Sequence, residues 1–342
     1  MLLPYLHRVA ARENLSAEDA RLAMLAVLSG DASTAQIAAF LAALRTKGET
    51  SEELLGAARA MREKVQRVEP DVDSEPLLDT CGTGGAEGPH TFNISTVAAF
   101  VVAGAGVRVA KHGNRSLSGP CGSADILEAL GVRISLPPQQ IAWSIRDVGI
   151  GFLFAPMLHP AMKYAQPARL ELKMRTIFNL LGPLTNPAGA TCQLIGAPTA
   201  HAAELMAHAL AGLGPERAFV VHGSDGLDEI TTTGSTLVFE VERHEVKNHR
   251  WHPSDFGIDS ATTDDIRGGD VRHNHAIATA ILKGEEGPQR DIVLVNAAAA
   301  LVAAKVAGTL PEGVAKAAQC IDSGAAWKKL EQLIAFTTGL QP

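Results

Sequence analysis

From Ser16 to Val65 the apolar residues recur with the spacing of helices. Ser16 precedes an apolar series that extends to Leu28, and Asp19 stands three positions after Ser16, as in a capping box. Gly30 interrupts this pattern, and two further helices are predicted over residues 34–44 and 51–65. The acidic segment 68–75, which contains Pro70, is predicted to be a linker.

Beyond residue 76, short runs typical of strands alternate with alanine-rich runs typical of helices. The strand-like runs are 77–78, 107–110, 194–195 and 218–221, and the helical runs are 96–104, 123–130 and 201–213. This alternation predicts βαβ units and a mainly parallel sheet. The apolar pattern of residues 292–306 fits either a helix or a strand.

The predicted fold class is therefore α/β, with a small all-helical domain beside a larger α/β domain that has a central, mainly parallel sheet. The helical domain is predicted to span residues 1–68 and to be joined by a helical segment near 167–185, and the α/β domain to span residues 76–342. Hinges that close the two domains are predicted near Val68 and Pro167.

Composition limits the partners and the location of the protein. Apolar residues make up 46% of the 342 residues, which is enough for a full core. The formal net charge of −7 argues against a nucleic-acid surface but allows a local site for one small anion. No signal peptide or membrane span is predicted, because charged residues interrupt every apolar run. The scattered cysteines form no CxxC pair, which favours a reducing cytoplasm.

A glycine-rich loop, Asp79-Thr-Cys-Gly-Thr-Gly-Gly, follows the first predicted strand. Its glycines let backbone N–H groups approach an anion, although an ordinary turn has the same composition. The loop lacks Gly-Lys-Ser/Thr, and Glu87 stands where a GxGxxG fingerprint needs glycine, so neither a P-loop nor a Rossmann motif is present. Ser95 or Thr96 is predicted to cap the next helix, whose free N–H groups would complete a diphosphate cradle.

A basic loop, Lys-His-Gly-Asn-Arg-Ser-Leu-Ser-Gly at residues 111–119, follows the second predicted strand. Taken without its neighbours, this segment would be interpreted as a solvated surface loop. Ser123 is predicted to cap the helix after it, so a second strand-to-helix turn repeats the chemistry of the first, and polyphosphate recognition is favoured. His112 fits a structural role as well as a catalytic one, and no proton transfer is assigned to it.

These motifs together resemble the anthranilate phosphoribosyltransferase family. GTGG, TFNIST, KHGNRS and GSADILEALG occur in the family's order and spacing, followed by RTIFNLLGPLTNP and HGSDGLDEI. The resemblance covers nearly the whole chain. It implies a Mg²⁺-dependent, homodimeric enzyme of tryptophan biosynthesis. Such an enzyme transfers the phosphoribosyl group of phosphoribosyl pyrophosphate (PRPP) to the anthranilate amine, giving N-(5-phosphoribosyl)anthranilate and pyrophosphate.

The resemblance also implies roles for residues at matching positions. PRPP is expected to contact Gly82, Gly85, Thr91, Asn93, Ser95, Thr96, Lys111, Ser118, Gly119 and Ser123. Anthranilate is expected to contact Gly82, Asn114 and Arg169. Lys111, Asn114 and Arg169 are the residues expected to take part in catalysis. No residue stands out as a general base.

Arg169 suits the ortho-carboxylate of anthranilate because its planar guanidinium offers paired donors. Judged on the residues alone, an ion pair with Glu171 or Glu240 would be preferred. Asp228 and Glu229, with Ser95, are the Mg²⁺ ligands that the resemblance implies.

Mg²⁺ prefers hard oxygen ligands completed by phosphate oxygens and water, so two adjacent carboxylates are chemically apt. Adjacent side chains diverge on a helix, so this pair requires a loop. Without the family, Asp225, Asp228 and Glu229 would read as a solvated acidic turn.

Two positions depart from the family pattern. Residues 86–90 insert one residue before Thr91, and Glu87 is the candidate replacement for an Asp that the family commonly has after GTGG. Gly119 stands where the family often has a second Ser, so one hydroxyl is lost.

Two alternatives remain open. One is an enzyme like the pyrimidine nucleoside phosphorylases, which would have no reason to keep Arg169 with RTIFNLLGPL. The other is a non-catalytic relative that binds nucleic acid. The acidic balance and the Asp228-Glu229 pair argue against it, and retention on heparin or DNA would support it.

Overall fold

The computed structural model describes residues 1–72, 75–84, 89–116 and 119–340. Its N-terminal part consists of the helices α1 Leu3–Ala10, α2 Ala17–Leu28, α3 Thr34–Lys47 and α4 Ser51–Lys64. The side chains of Ser16, Ser33 and Thr50 accept hydrogen bonds from the first turns of α2, α3 and α4, so the three helix starts predicted from the sequence are confirmed. The short helix α1 was not predicted.

The larger part of the chain is built on one seven-stranded sheet with the order β3-β2-β1-β4-β5-β6-β7. The strands are β1 Leu77–Gly82, β2 Arg108–Gly113, β3 Ile150–Phe154, β4 Cys192–Gly196, β5 Arg217–Gly223, β6 Thr236–Glu242 and β7 Glu245–Trp251. β1 to β5 run parallel to one another, whereas β6 is antiparallel to both β5 and β7. The α/β fold class and the mainly parallel sheet are therefore confirmed.

Helices cover both faces of the sheet and form the connections between its parallel strands. They are α5 Ile94–Gly104, α6 Ser123–Ala129, α7 Pro138–Trp143, α8 Ala155–Leu158, α9 Gln166–Leu172, α10 Phe178–Leu181, α11 Ala200–Leu213, α12 Val271–Leu282, α13 Pro288–Ala303, α14 Leu310–Asp322 and α15 Ala325–Gly339. α5 and α13 are buried along nearly their whole length in the main hydrophobic cluster. Residues 292–306, which the pattern left open between helix and strand, lie mostly in α13.

A second hydrophobic cluster joins the N-terminal helices to the opposite face of the sheet. Residues of α2, α3 and α4 pack there with α11 and with the segment 165–184. Two backbone hydrogen bonds also fix the chain after α4, from the Gln66 N–H to the Leu158 carbonyl and from the Val68 N–H to the Pro187 carbonyl. Among the described residues no helix is long and apolar enough to cross a lipid bilayer.

Two predicted helix caps are wrong. The N-cap of α5 is Asn93, so Ser95 and Thr96 are the second and third residues of that helix. The N-cap of α6 is Gly122, and Ser123 is already the first helical residue. At α6 the carboxylate of Asp125 accepts the Gly122 N–H at 2.9 Å, so the acid of the first turn closes the helix start from within.

Candidate active site

The carboxyl ends of the parallel strands bring four chain segments to one edge of the sheet. β1 and β4 end side by side, with Gly82 paired to Gly196, and β5 ends beside them at Gly223. β2 ends at Gly113, and a Cβ on Gly113 would lie 2.3 Å from the Ser123 hydroxyl. In open α/β sheets this edge is where ligands bind.

The acidic loop after β5 is held in shape by its own hydrogen bonds. The Asp225 carboxylate accepts hydrogen bonds from the hydroxyls of Thr231 and Thr233 and, at 3.1 Å, from the Leu227 N–H. Asn296 of α13 pairs its side-chain amide with both backbone groups of Ile230, at 2.9 and 3.0 Å. Asp225 thus shapes the loop, and the alternative of a solvated acidic turn does not describe it.

This loop places Asp228 in contact with the glycine-rich loop. The Gly84 N–H donates to Asp228 Oδ2 at 3.1 Å, and Gly84 has a φ of 67°, a conformation that favours glycine. A Cβ on Gly82 would lie 2.7 Å from Asp228 Oδ2. A Cβ on Gly196 would lie 1.6 Å from the Asp228 carbonyl oxygen. Glycine at both strand ends therefore lets the acidic loop approach.

Glu229 faces the start of α5. Hydrogen bonds from the backbone and the hydroxyl of Ser95 lower its pKa, but burial and the neighbouring Asp228 carboxylate outweigh them and raise the pKa of Glu229 to about 8. Burial also raises the pKa of Asp228. The donor set of two carboxylates and a hydroxyl suits Mg²⁺, whose charge would relieve the repulsion between the two acids.

No three His, Cys, Asp or Glu side chains form a metal-binding group within the described ranges. A cation held by Asp228, Glu229 and Ser95 would therefore need further oxygen ligands. Phosphate groups and water are the usual additional ligands of Mg²⁺.

Lys111 lies at the end of β2 and is only 3% exposed. Its ammonium donates to the Thr80 carbonyl at 2.7 Å, and the Thr80 hydroxyl donates to the Ser95 carbonyl at 2.9 Å. Burial lowers the pKa of Lys111, and the carboxylates of Asp79 and Glu229 oppose that effect. The lysine is therefore fixed at the glycine-rich loop, beside the acidic pair.

Asp79 is fully buried beneath these groups. Its two oxygens accept from the His112 N–H at 3.0 Å and from the Asn186 side-chain amide at 2.8 Å. The same amide donates to the Ala110 carbonyl at 2.8 Å. Asp79 and Asn186 thus align the basic loop, and they were not identified from the sequence as site residues, although both lie inside quoted motifs.

His112 and His159 form a buried pair beside this network. His112 Nδ1 lies 3.1 Å from the Gly182 carbonyl and therefore carries the hydrogen, and its Nε2 accepts from His159 Nε2 at 3.2 Å. Burial lowers the pKa of His112 to about 3 and that of His159 to about 4. Both rings are neutral at physiological pH. His159 had no signal in the sequence, because nothing around it repeats a known spacing.

The basic loop and the start of α6 are joined by short contacts. The Asn114 carbonyl accepts from the Ser123 hydroxyl at 3.2 Å and from the Ala124 N–H at 3.1 Å. The Gly119 N–H donates to the Ser116 hydroxyl at 2.7 Å, so the backbone N–H of Gly119 is bonded within the loop itself.

Arg169 lies on α9, with its guanidinium 5.3 Å from the centre of the Phe178 ring. Burial lowers its pKa. In the described part of the chain Arg169 has no carboxylate partner, and Glu240 pairs instead with Arg217 and His249. The interpretation of Arg169 as half of a surface ion pair is therefore wrong.

The structure gathers most of the predicted PRPP and Mg²⁺ residues at this edge of the sheet. Gly82, Asp228, Glu229, Ser95 and Lys111 are linked directly or through Thr80, as described above. Thr96 is 1% exposed, and its hydroxyl has no partner among the described residues. Gly85, Glu87 and Ser118 lie outside the described residues. No direct contact joins Arg169 to Asn114 within the described ranges.

Comparison with known proteins identifies the family. Residues 74–327 match a family described as "Glycosyl transferase family, a/b domain", and residues 3–65 match its "helical bundle domain". The anthranilate phosphoribosyltransferase of Solibacter usitatus is 62% identical over 335 residues, 98% of each chain. The chain belongs to the anthranilate phosphoribosyltransferase family.

Solved structures of anthranilate phosphoribosyltransferases have the same fold. The Thermus thermophilus enzyme superposes with a TM-score of 0.91 at 43% identity, over 97% of this chain and 99% of that one. The Saccharomyces cerevisiae enzyme, solved in complex with PRPP and Mg, gives a TM-score of 0.89 at 29% identity, over 99% and 98% of the chains. The family predicted from the motifs is therefore confirmed.

Proposed function

We propose that this protein is an anthranilate phosphoribosyltransferase that transfers the phosphoribosyl group of PRPP to the amine of anthranilate in tryptophan biosynthesis. The main observation behind the proposal is that the loop with Asp228 and Glu229 packs against Gly82, Gly84 and Ser95. Lys111 is buried beside them. This arrangement combines a site for a divalent cation with anion-binding backbone groups at one edge of the sheet.

PRPP binds across the starts of α5 and α6 and the loops that precede them. The positive ends of the helix dipoles at these starts favour the phosphates. The residues that bind PRPP are Gly82, Gly85, Thr91, Asn93, Ser95, Thr96, Lys111, Ser118, Gly119 and Ser123. Because Lys111 and the starts of α5 and α6 are fixed before the substrate arrives, they stabilise the charge that builds on pyrophosphate without reorganising.

Asp228, Glu229 and Ser95 hold Mg²⁺. When bound, Mg²⁺ supplies Lewis-acid stabilisation of the departing pyrophosphate. Lys111 adds a fixed positive charge on the same side, because its ammonium is held by the Thr80 carbonyl. The hard step is cleavage of the ribose C1–O bond, and these groups act on its leaving group.

Anthranilate binds between Gly82, Asn114 and Arg169. The guanidinium of Arg169 pairs with the carboxylate of anthranilate, since no carboxylate of the described residues occupies it. The amine of anthranilate is neutral at pH 7, so its lone pair needs no general base. Holding the amine in line with C1 supplies on the order of 7–11 kcal/mol of the rate enhancement.

The chain is organised as a helical domain at residues 1–68, joined by the segment 167–185, and an α/β domain at residues 76–342. Closure about hinges near Val68 and Pro167 brings Arg169 towards the PRPP site. The protein acts in the cytoplasm as a homodimer that associates through its N-terminal helices. The exposure of Leu22 on α2, at 38%, supports this surface, and light scattering of Leu22→Asp tests it, with a monomer expected.

The loss of anthranilate fluorescence in the presence of PRPP and Mg²⁺ tests the proposed reaction. Wild type should consume anthranilate, and Arg169→Ala should be strongly impaired while Arg146→Ala, an exposed arginine paired with Asp147, keeps normal activity. A folded wild type that leaves anthranilate untouched would sink the proposal. Phosphate-dependent cleavage of pyrimidine nucleosides by the same sample would then identify a phosphorylase.

A further inference from the structure

The segment just before α12 forms backbone contacts with the chain just before α5. Arg267 and Thr91 form an antiparallel bridge, and the Gly268 N–H donates to the His90 carbonyl at 2.9 Å. A Cβ on Gly268 would lie 2.3 Å from the carbonyl carbon of Thr91. Only glycine permits this approach of two backbones, so the contact is built into the sequence.

Asn274, in the first turn of α12, makes a second connection to the same chain. Its side chain is 2% exposed, and its Nδ2 donates to Asn93 Oδ1 at 3.2 Å. Its own Oδ1 accepts the Gly269 N–H at 2.8 Å. A buried amide with partners on both ends is held in one orientation, so Asn274 connects the Gly268-Gly269 turn to the N-cap of α5.

Asn93 in turn forms hydrogen bonds with Cys121, just before the start of α6. Its Nδ2 donates to the Cys121 carbonyl at 3.1 Å, and its Oδ1 accepts from the Cys121 thiol at 3.3 Å. The Asn93 side chain makes no cap to its own helix. With Asn274 and Cys121 both donating to Oδ1, that oxygen is saturated, and the amide fixes the start of α5 relative to Gly122 at the start of α6.

We propose that Asn274 is a positioning residue for PRPP: it orients the Asn93 amide and thereby sets the spacing between the two helix starts. The inference rests on the proposed function, because PRPP is the ligand that both helix starts hold. Asn274 acts through Asn93 and touches no reacting group. A spacing of fixed donors matters most for a ligand that bridges them, so the effect falls on PRPP rather than on anthranilate.

Two variants of Asn274 separate positioning from folding. Asn274→Ala removes both hydrogen bonds, whereas Asn274→Asp keeps an acceptor for the Gly269 N–H and replaces the donor to Asn93 with a carboxylate oxygen. Both should raise KM and Kd for PRPP about tenfold, the effect of one lost buried hydrogen bond. The kcat at saturating PRPP and the KM for anthranilate should stay within about twofold. Thr279→Ala, which removes an unpartnered hydroxyl from the same helix, should match wild type.

Direct titration of PRPP with Mg²⁺ by calorimetry accompanies the kinetics, and thermal unfolding accompanies both. An unchanged Kd for PRPP in a folded Asn274→Asp protein would overturn the inference. A fall in kcat together with a rise in both KM values and a lowered Tm would also overturn it, because that pattern marks a structural residue. If wild type binds PRPP but consumes no anthranilate, the proposed reaction fails, and the change in Kd still decides the role of Asn274.

Discussion

Gly196 is the position where one added methyl group should disable the site without replacing a predicted ligand. It ends β4 beneath the acidic loop, and a Cβ there would lie 1.6 Å from the Asp228 carbonyl oxygen and 2.5 Å from its carbon. Real Cβ atoms essentially never come within 3.0 Å of such atoms. In Gly196→Ala the carbonyl must therefore retreat from 1.6 Å to at least 3.0 Å, a movement of about 1.4 Å.

The rest of the loop cannot share this movement. Ile230 is tied through both backbone groups to Asn296, and the Leu227 N–H is tied to Asp225. The displacement therefore falls on Asp228 and Glu229. Misplacement of catalytic groups by about 1 Å costs on the order of 100-fold in rate, or about 2.7 kcal/mol. We expect kcat/KM of Gly196→Ala to fall at least that far.

The assay is steady-state consumption of anthranilate over a range of Mg²⁺ concentrations, with circular dichroism to establish folding. Gly339→Ala is the matched control, because a Cβ at that glycine meets no atom of the described residues within 4 Å. It should behave as wild type. A folded Gly196→Ala enzyme with normal kcat/KM and an unchanged Mg²⁺ requirement would refute the reasoning that the seat on Gly196 positions the carboxylates.

Three further predictions concern single side chains. Asp228→Asn should raise the Mg²⁺ concentration for half-maximal rate by at least about tenfold, and an unchanged Mg²⁺ titration would exclude Asp228 as a ligand. Arg169→Lys should raise KM for anthranilate about 10- to 100-fold through loss of the paired contact while KM for PRPP stays constant; equal changes in both would contradict a carboxylate clamp. The neutral His112–His159 pair gives full stability above pH 6.5, and stability falls as the pH drops towards 4, because only the unfolded chain takes up the protons. Urea unfolding should show a loss of about 3 kcal/mol between pH 7.5 and 5.5, roughly halved in His159→Phe; identical losses in both proteins would count against the buried pair.

The sequence predicted the fold where local signals were strong. The hydroxyl cap at Ser16 marked the start of α2, the helical spacing of apolar residues indicated α3 and α4, and the alternation of short apolar and alanine-rich runs indicated the parallel sheet. It missed β3, β6 and β7; at β7 the polar alternation of 245–251 resembles a loop when its hairpin partner is unknown. Asn93 was missed as a cap because its side chain serves a distant helix instead of its own.

Some residues of the candidate site could likewise be predicted from the sequence, and others could not. Motifs with fixed spacing pointed to Lys111, Asp228 and Glu229, which the structure brings to one edge of the sheet. Side chains that support them from other parts of the chain, such as Asn186 and Asn274, have no local pattern that shows what they contact. Their partners lie 107 and 181 positions away along the sequence, and only folding brings them together.

The proposed reaction is tested most directly by measuring pyrophosphate release and anthranilate loss in the same reaction of the wild-type protein. With PRPP and Mg²⁺ present, we expect equal amounts of both and no reaction when any one component is omitted. Pyrophosphate release without loss of anthranilate would show a hydrolase that cannot place the amine. Loss of neither substrate by the folded protein would contradict the proposed reaction itself.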